Sequence, residues 1–238
     1  MKRKINLKWI SYCLVALVPF VFFSLKTTLP SYLYYYKIGM LSLQDFVKII
    51  YLGPYRREVA YPIILTSVYL ILQAKLVGQV QLHEIIRYQD IKDYFKQRFR
   101  KGLVLALATT TVYEAVSLIY LPLVGSRDFF TTFYMKLEIT QILIVAGYLV
   151  LLFGVCELLS LRFSIGIPQG VTILISAGMF FLAKLTEFWT PVRELPIHIV
   201  SYNNLAVETV SVSFFKVVIS ILFVYSVFLY MLKKEDFI

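Results

Sequence analysis

Six long apolar blocks constrain the fold of this chain more than any other feature of its sequence. Each block has about 20 residues, the length that an α-helix needs to cross the hydrocarbon core of a bilayer. Helices are expected because lipid offers no hydrogen-bond partners to exposed backbone groups. The sequence therefore predicts an all-α integral membrane protein with a single transmembrane domain, residues 1–238. The predicted spans are 9–25, 58–78, 102–124, 137–161, 165–189 and 213–234.

The composition agrees with this class. Hydrophobic residues make up 59% of the chain and charged residues 16%, whereas soluble domains have about 45–50% apolar and about 25% charged residues. The net charge of +10 is concentrated in a few connecting segments. Positive-inside topology accounts for that distribution without a nucleic-acid partner. We expect both termini in the cytoplasm and, from the low cysteine count and Lys-rich tails, a bacterial plasma membrane.

The segment between the first two spans, residues 26–57, is predicted to lie outside the cell and to contain a short helix over 42–52. Ser42 is a suitable N-cap with Asp45 three residues later, and Gly53 followed by Pro54 can end the helix. Its apolar residues share one face, so the helix could lie on the outer leaflet. The alternative is a lid over a substrate pathway.

A second short helix, over about 85–101, is predicted on the cytoplasmic side between spans two and three. Residues 85–102 contain six Lys or Arg residues, and Asp90 can cap a helix that begins at Ile91. Aromatic and apolar residues recur at the three-and-four spacing of one helical face, and basic residues occupy the rest. Such an amphipathic helix either binds anionic lipid of the inner leaflet or provides a docking site for another protein.

The sequence lacks the patterns that would indicate an enzyme. The dipeptide Gly-Lys does not occur, which excludes a P-loop, and the chain has two histidines, His83 and His198. No H-E-x-x-H or G-x-S-x-G motif is present. We therefore predict no catalytic residue, no metal ligand and no cofactor bound by this chain.

Three ionisable residues within the predicted spans are candidate functional positions. Glu114 lies near the middle of span three, where a carboxylate either contacts substrate or a proton pathway, or fixes helix packing as a protonated or paired group. Glu157, near the inner end of span four, is expected to extend toward Arg162. Lys184 is expected to pair with Glu187 on one face of span five.

Glycines in two spans predict close approaches between helices. Gly147 and Gly154 are seven residues apart in span four, and Gly166 and Gly170 are four apart in span five. Small residues at such spacings allow transmembrane helices to pack closely.

The six spans, the cytoplasmic termini and the basic segment IIRYQDIKDYFKQRFRKG together resemble the permease subunit of an ABC-2-type transporter. The small bacterial permeases of peptide-export and bacteriocin-immunity systems are the nearest likeness. The resemblance implies that the basic segment inserts into a groove on a separate ATPase subunit, which binds the ATP. The implied ATPase-coupling residues are Arg87, Asp90, Ile91, Tyr94, Phe95, Arg98 and Phe99, with Arg162 in a second contact.

The function implied by this resemblance is transport of a substrate, peptide or lipid-like, across the plasma membrane. A second copy of the chain, or a similar permease chain, would complete the pathway, and membrane lipid would surround both. The alternative hypothesis is a non-transporting membrane protein, such as an immunity protein or a scaffold for assembly of a membrane complex.

Overall fold

The structure is a computed structural model that describes nine stretches of the chain and four single positions near the N-terminus. All regular secondary structure within the described residues is helical, and none of it is strand. The predicted all-α class is therefore confirmed for the part of the chain that is described. The described residues are 11, 15, 17–19, 22, 26, 30–42, 45–46, 60–78, 91–124, 132–163, 166–186, 189–195 and 207–234.

Five α-helices organise the part of the chain that the structure describes. A π-helical segment, Ala60–Leu65, leads directly into the first of them, and a short 3-10 helix, Pro191–Glu194, follows the fourth. Residues 30–37 are also helical. The five α-helices are α1, Thr66–Leu76; α2, Ile91–Val124; α3, Thr132–Ser160; α4, Ile167–Leu185; and α5, Val207–Lys234.

Helix α2 joins two segments that the sequence predicts to be separate. Within the described residues it runs without a break for 34 residues, Ile91–Val124. The predicted start after a cap at Asp90 stays a prediction, because residues 79–90 lie outside the described residues. Gly102 stands at the predicted boundary, but the helix is not interrupted there. A Cβ at this position would lie 3.0 Å from ring carbons of Phe153. The glycine therefore allows α2 to approach α3, and the basic N-terminal turns are a direct extension of the apolar part.

Helix α3 is the centre of the bundle and packs against α1, α2, α4 and α5. A Cβ added to Gly147 or Gly154 would lie 2.9 Å or 2.8 Å from the Cγ1 atom of Val217 or Val224, respectively. From the pair Gly147–Val217 to the pair Gly154–Val224, each helix advances by seven residues. Helices α3 and α5 therefore run parallel. The predicted close contacts at these two glycines are confirmed.

The corresponding prediction for Gly166 and Gly170 is wrong. Among the described residues, no atom lies within 4 Å of the position that a Cβ would take at either glycine. Gly166 instead adopts a φ of 93° immediately before α4, a backbone conformation that a residue with a Cβ rarely takes. This glycine is needed by the turn and not by helix packing.

Two helices of the described chain are long and apolar enough to cross a membrane: Glu138–Ser160 within α3 and Ser211–Met231 within α5. They differ in burial. In the most apolar 18-residue stretch of each, 61% of the residues are buried in the α3 segment and 17% in the α5 segment. Two shorter apolar helices, Ala60–Leu76 and Ile167–Ala183, pack against α3.

The N-cap that the sequence predicts at Ser42 is present. The Ser42 hydroxyl accepts a hydrogen bond from the backbone N–H of Asp45 at 3.1 Å and donates one to the Asp45 carboxylate at 2.6 Å. Phe46 in the first turn is fully buried, and its ring stacks on Tyr36 with the centroids 5.1 Å apart. The rest of the predicted helix, 47–52, and its end at 53–54 lie outside the described residues.

Candidate functional site

The first of two buried polar clusters, the Arg98 cluster, connects α1, α2 and α3. The Arg98 guanidinium donates two hydrogen bonds to Glu157, from Nε to Oε2 at 2.7 Å and from Nη2 to Oε1 at 2.8 Å. Both side chains are buried. A bidentate arginine–carboxylate pair of this kind is among the strongest polar contacts in proteins, and its geometry is specific.

Two further groups complete the Arg98 cluster. Arg98 Nη2 also donates to the carbonyl oxygen of Gly78 at 2.7 Å, and Gln73 Nε2 donates to Glu157 Oε1 at 2.8 Å. Gly78 has a φ of 77° and directly follows α1 and its C-cap residue Val77. A buried ion pair is stable only when additional hydrogen bonds satisfy its remaining donors and acceptors. Here the additional partners come from α1, so the cluster fixes three helices to one another.

The predicted partner of Glu157 is therefore incorrect. Arg162 lies in the turn after α3 with its side chain exposed, whereas the carboxylate is held by Arg98. The reason is the antiparallel register of α2 and α3. Gly102 of α2 meets Phe153 of α3, so Arg98, one turn earlier on α2, reaches Glu157, one turn later on α3.

The helical face proposed for ATPase coupling exists, but it contacts the chain's own helices. Tyr94 and Phe95 are buried in one apolar cluster with Phe228, and the half-buried Leu158 and Leu161 pack against it. The rings of Phe95 and Phe228 are 4.0 Å apart between centroids. Arg98 lies on the same side of α2, with its Cζ atom 5.6 Å from the Tyr94 ring centroid.

The remaining predicted coupling residues are in different environments. Phe99 is half-buried. Ile91 is the first residue of α2, and its side chain is not described. Arg87 and Asp90 lie outside the described residues. The exposed side of the N-terminal part of α2 carries Asp93, Lys96, Gln97, Arg100 and Lys101.

The second cluster, the Glu114 cluster, lies farther along α2 between the π-helical segment and α3. Glu114 Oε1 accepts hydrogen bonds from the Tyr61 hydroxyl at 2.9 Å and from Gln141 Nε2 at 3.2 Å. Gln141 and Tyr61 also contact each other. Glu114 and Tyr61 have no exposed surface. The carboxyl group is thus enclosed by side chains that hydrogen-bond to it.

The π-helical segment beside this cluster has its own polar partners. Pro62 has no N–H, and its carbonyl oxygen accepts a hydrogen bond of 2.6 Å from Ser176 of α4. The Ser176 hydroxyl is also hydrogen-bonded to the Tyr148 hydroxyl, 2.6 Å away. Thr66 donates to the Tyr61 carbonyl at 3.0 Å. Irregular helix within an apolar bundle needs such partners, because its backbone groups are otherwise unsatisfied.

The third predicted intramembrane residue, Lys184, lies in α4, but its side chain is not described, and Glu187 lies outside the described residues. The predicted pairing of these two residues therefore stays a prediction. In the described part of the chain, no three His, Cys, Asp or Glu residues are grouped so that they could hold a metal ion.

Sequence reasoning missed the polar partners that build both clusters. Gln73, Tyr61 and Gln141 each provide a hydrogen bond to a buried carboxylate. The available signal was a polar amide within an apolar block, because Gln73 and Gln141 lie inside the second and fourth predicted spans. Amides at such positions commonly hydrogen-bond across helices.

Comparison of the chain with protein-family models, with curated proteins and with solved structures gave no match.

Proposed function

We propose that the chain is a multi-pass protein of the bacterial plasma membrane with six spans and both termini in the cytoplasm. The support is the distribution of polarity. Large apolar side chains such as Leu174, Phe215 and Phe223 are exposed, whereas Arg98, Glu114 and Glu157 are buried and hydrogen-bonded. Ionisable residues that face a bundle interior, with apolar residues on the outside, are typical of helices surrounded by lipid.

Within this class, the proposed function is that of a transporter subunit that moves a substrate across the membrane together with a separate ATPase. A second copy of the chain, or a similar one, would complete the pathway. The observation that carries this proposal is the continuity of α2. Its basic N-terminal turns and its apolar part form one 34-residue helix, and Arg98 connects it to α3 and to the end of α1. A partner that displaced these turns would move three helices as one body.

The contact with the ATPase is assigned to the exposed side of α2 and not to its aromatic side. Tyr94 and Phe95 stabilise the bundle itself. Asp93, Gln97 and Lys101 are exposed in the same turns, and charged residues at the rim of an interface govern partner choice and association rate. Arg162 in the exposed turn after α3 is the proposed second contact.

The test is co-purification of the protein, solubilised gently from its native membrane, with its bound partners. We expect an ATPase to accompany the native chain and to be lost from the variant Gln97→Glu/Lys101→Glu. The control is Lys26→Glu/Lys37→Glu, which introduces two acidic residues at exposed positions on the predicted outer side. Loss of the ATPase from both variants would point to a general charge effect. An ATPase that stayed bound to both would exclude the assigned surface.

The second candidate, a non-transporting immunity or scaffold protein, is favoured by one observation. The aromatic face of α2 is occupied within the chain, and the Arg98 cluster holds the described helices together. If no ATPase co-purifies with the native chain under any gentle solubilisation, this second function replaces the first. The membrane assignment is independent of that result.

A further inference from the structure

The hydrogen-bond partners of the two buried carboxyl groups differ in what they can do with a proton. Glu157 is held by the guanidinium of Arg98, which only donates hydrogen bonds and so suits a carboxylate. Glu114 is held instead by the hydroxyl of Tyr61 and the amide of Gln141. A hydroxyl and an amide can each donate or accept. These two partners can therefore satisfy the Glu114 carboxyl group with or without a proton.

A third polar group stands on the same face of α2. Thr110 precedes Glu114 by four residues, the spacing of neighbours on one helical face. Its side chain is fully buried, and its hydroxyl has no hydrogen-bond partner among the described residues. The hydroxyl of the adjacent Thr109 donates to the Leu105 carbonyl at 2.8 Å. Buried hydroxyls rarely lack a partner, and a protonated Glu114 carboxyl could donate to that of Thr110.

The other titratable groups around Glu114 are tyrosines and a second carboxyl group. The Tyr61 and Tyr113 rings are 5.7 Å apart between centroids. Glu138, also buried, lies three residues before Gln141 on the same helix. Away from the Arg98 cluster, the titratable side chains described on α1 to α4 and the π-helical segment, besides Glu114, are Tyr61, Tyr113, Glu138 and Tyr148.

The partner of Glu114 on its other side belongs to the π-helical segment, Ala60–Leu65. Single π-turns inside helices are rare and occur frequently at functional sites. Return of this turn to α-helix would shift the chain by one residue and turn Tyr61 by about 100° around the helix axis, away from Glu114. The hydrogen bond between the Tyr61 hydroxyl and Glu114 therefore helps to hold the segment in its π-helical form.

We propose that Glu114 is a site that binds and releases one proton, and that proton binding loosens the hold of α2 on the π-helical segment. Hydrogen bonds to an ionised group are about twice as strong as those between neutral groups. A proton added to a carboxylate oxygen of Glu114 would thus weaken the bond from Tyr61. The inference rests on the membrane part of the proposed function and not on the ATPase.

The experiment is infrared spectroscopy of the full chain in liposomes during a pH titration. A protonated carboxyl group absorbs through its C=O stretch at a frequency at which carboxylates and amides do not. We expect such a band to appear as the pH falls and to be absent from Glu114→Gln. Tyr61→Phe removes the hydroxyl that contacts Glu114 and should shift the frequency of the band. The control Arg98→Met/Glu157→Leu removes the other buried pair and should leave the band unchanged.

Hydrogen–deuterium exchange tests the link to the π-helical segment. Gln at position 114 represents the neutral side chain at every pH. We expect Glu114→Gln to raise the opening of residues 60–66 about fivefold over the native chain at a pH at which the band is absent. The native chain should reach the same value at a pH at which the band is present, after correction for the chemical exchange rate. Residues 144–152 of α3 are the internal control and should not change.

Three results would overturn the inference in different ways. If no band is lost in a folded Glu114→Gln variant at any pH at which the native chain stays folded, Glu114 is not a proton site. Equal exchange of residues 60–66 in the native chain and in Glu114→Gln excludes the link to the π-helical segment. Both results leave the membrane assignment intact. A chain that fails to insert into liposomes overturns that assignment and this inference with it.

Discussion

Helices α3 and α5 are the two segments of the described chain that could each cross a membrane, yet their positions in the bundle are opposite. The α3 segment, Glu138–Ser160, is mostly buried, whereas few residues of the α5 segment, Ser211–Met231, are buried. Helix α3 provides Gln141 and Glu157 to the two polar clusters. Helix α5 presents large apolar side chains such as Phe215 and Phe223 to the outside.

The difference in burial between α3 and α5 shows that apolar composition alone does not decide which helix faces lipid. Both segments are apolar enough to cross a bilayer, and what separates them is the placement of polar residues and glycines. Gly147 and Gly154 let α5 approach on one side of α3, and Glu157 binds Arg98 of α2 on another. A helix with specific partners on several sides becomes the centre, whereas a helix with one packed side stays at the edge.

The largest effect is expected from removing one member of the ion pair on α3. Arg98→Ala leaves the Glu157 carboxylate buried without its cation. Breaking a buried pair in this way costs about 3–5 kcal/mol of unfolding free energy. Unfolding of the purified protein in mixed detergent micelles, followed by circular dichroism, measures the change.

A double variant provides the control for this prediction. Arg98→Met/Glu157→Leu replaces both charges with apolar groups of similar length, and such replacements are often neutral or stabilising. We expect it to recover most of the stability lost in Arg98→Ala. If the double variant were as unstable as the single one, the ion pair would not be the source of the effect.

A smaller effect is expected where α3 and α5 touch. Gly154→Val places methyl groups where a Cβ alone would already lie 2.8 Å from Val224 Cγ1, and overpacking of this kind costs about 1–3 kcal/mol. Val224→Ala in the same chain should restore part of the loss. Gly170→Val on α4 is the comparison, because that glycine has open space beside it. Equal destabilisation by the two glycine variants would contradict the packing described here.

These residues also show what the sequence could predict. Local signals were sufficient for the Ser42 cap and for the contacts of Gly147 and Gly154. Each depends on residue type and on spacing within one helix. The partner of Glu157 could not be found in this way. It depends on the register of two antiparallel helices, which the packing at Gly102 and Phe153 determines.

The same limit applies to the aromatic face of α2. The spacing correctly indicated that Tyr94, Phe95 and Arg98 lie on one side of a helix, and all three are buried. A sequence pattern does not say whether such a face meets a partner protein, lipid or another part of the same chain. Phe228, the buried partner of Phe95, lies 133 positions later in the sequence.

A moderate effect is expected in the Glu114 cluster. Glu114→Gln keeps a side chain that can hydrogen-bond to Tyr61 and Gln141, so it should change the unfolding free energy by less than about 1 kcal/mol. Glu114→Ala removes the acceptor of the hydrogen bonds from Tyr61 and Gln141 and should cost about 1–3 kcal/mol. A smaller loss of unfolding free energy in Glu114→Gln than in Glu114→Ala would support a role of Glu114 in packing. Loss of transport in a normally stable Glu114→Gln variant would instead assign the carboxyl group to a pathway.

The smallest effect is expected on the exposed side of α5. Phe223 is 69% exposed, and Phe223→Ala should change the unfolding free energy by less than about 0.5 kcal/mol. Phe153 on α3 is buried, and Phe153→Ala should cost about 3–5 kcal/mol. The losses of unfolding free energy caused by Phe→Ala at these two positions thus compare the central helix α3 with the edge helix α5. Similar losses from both would mean that α5 is covered by something in the folded protein.

The placement of α5 at the lipid boundary of the bundle is tested most directly by measuring the environment of its exposed side in a bilayer. Nitroxide labels at Leu222→Cys and Phe223→Cys, in a chain whose native cysteines are replaced by Ala, would be examined in liposomes by electron paramagnetic resonance. We predict high accessibility to oxygen and low accessibility to a water-soluble nickel complex, because these positions face lipid. High accessibility to the nickel complex at both positions would contradict the account and place α5 in water.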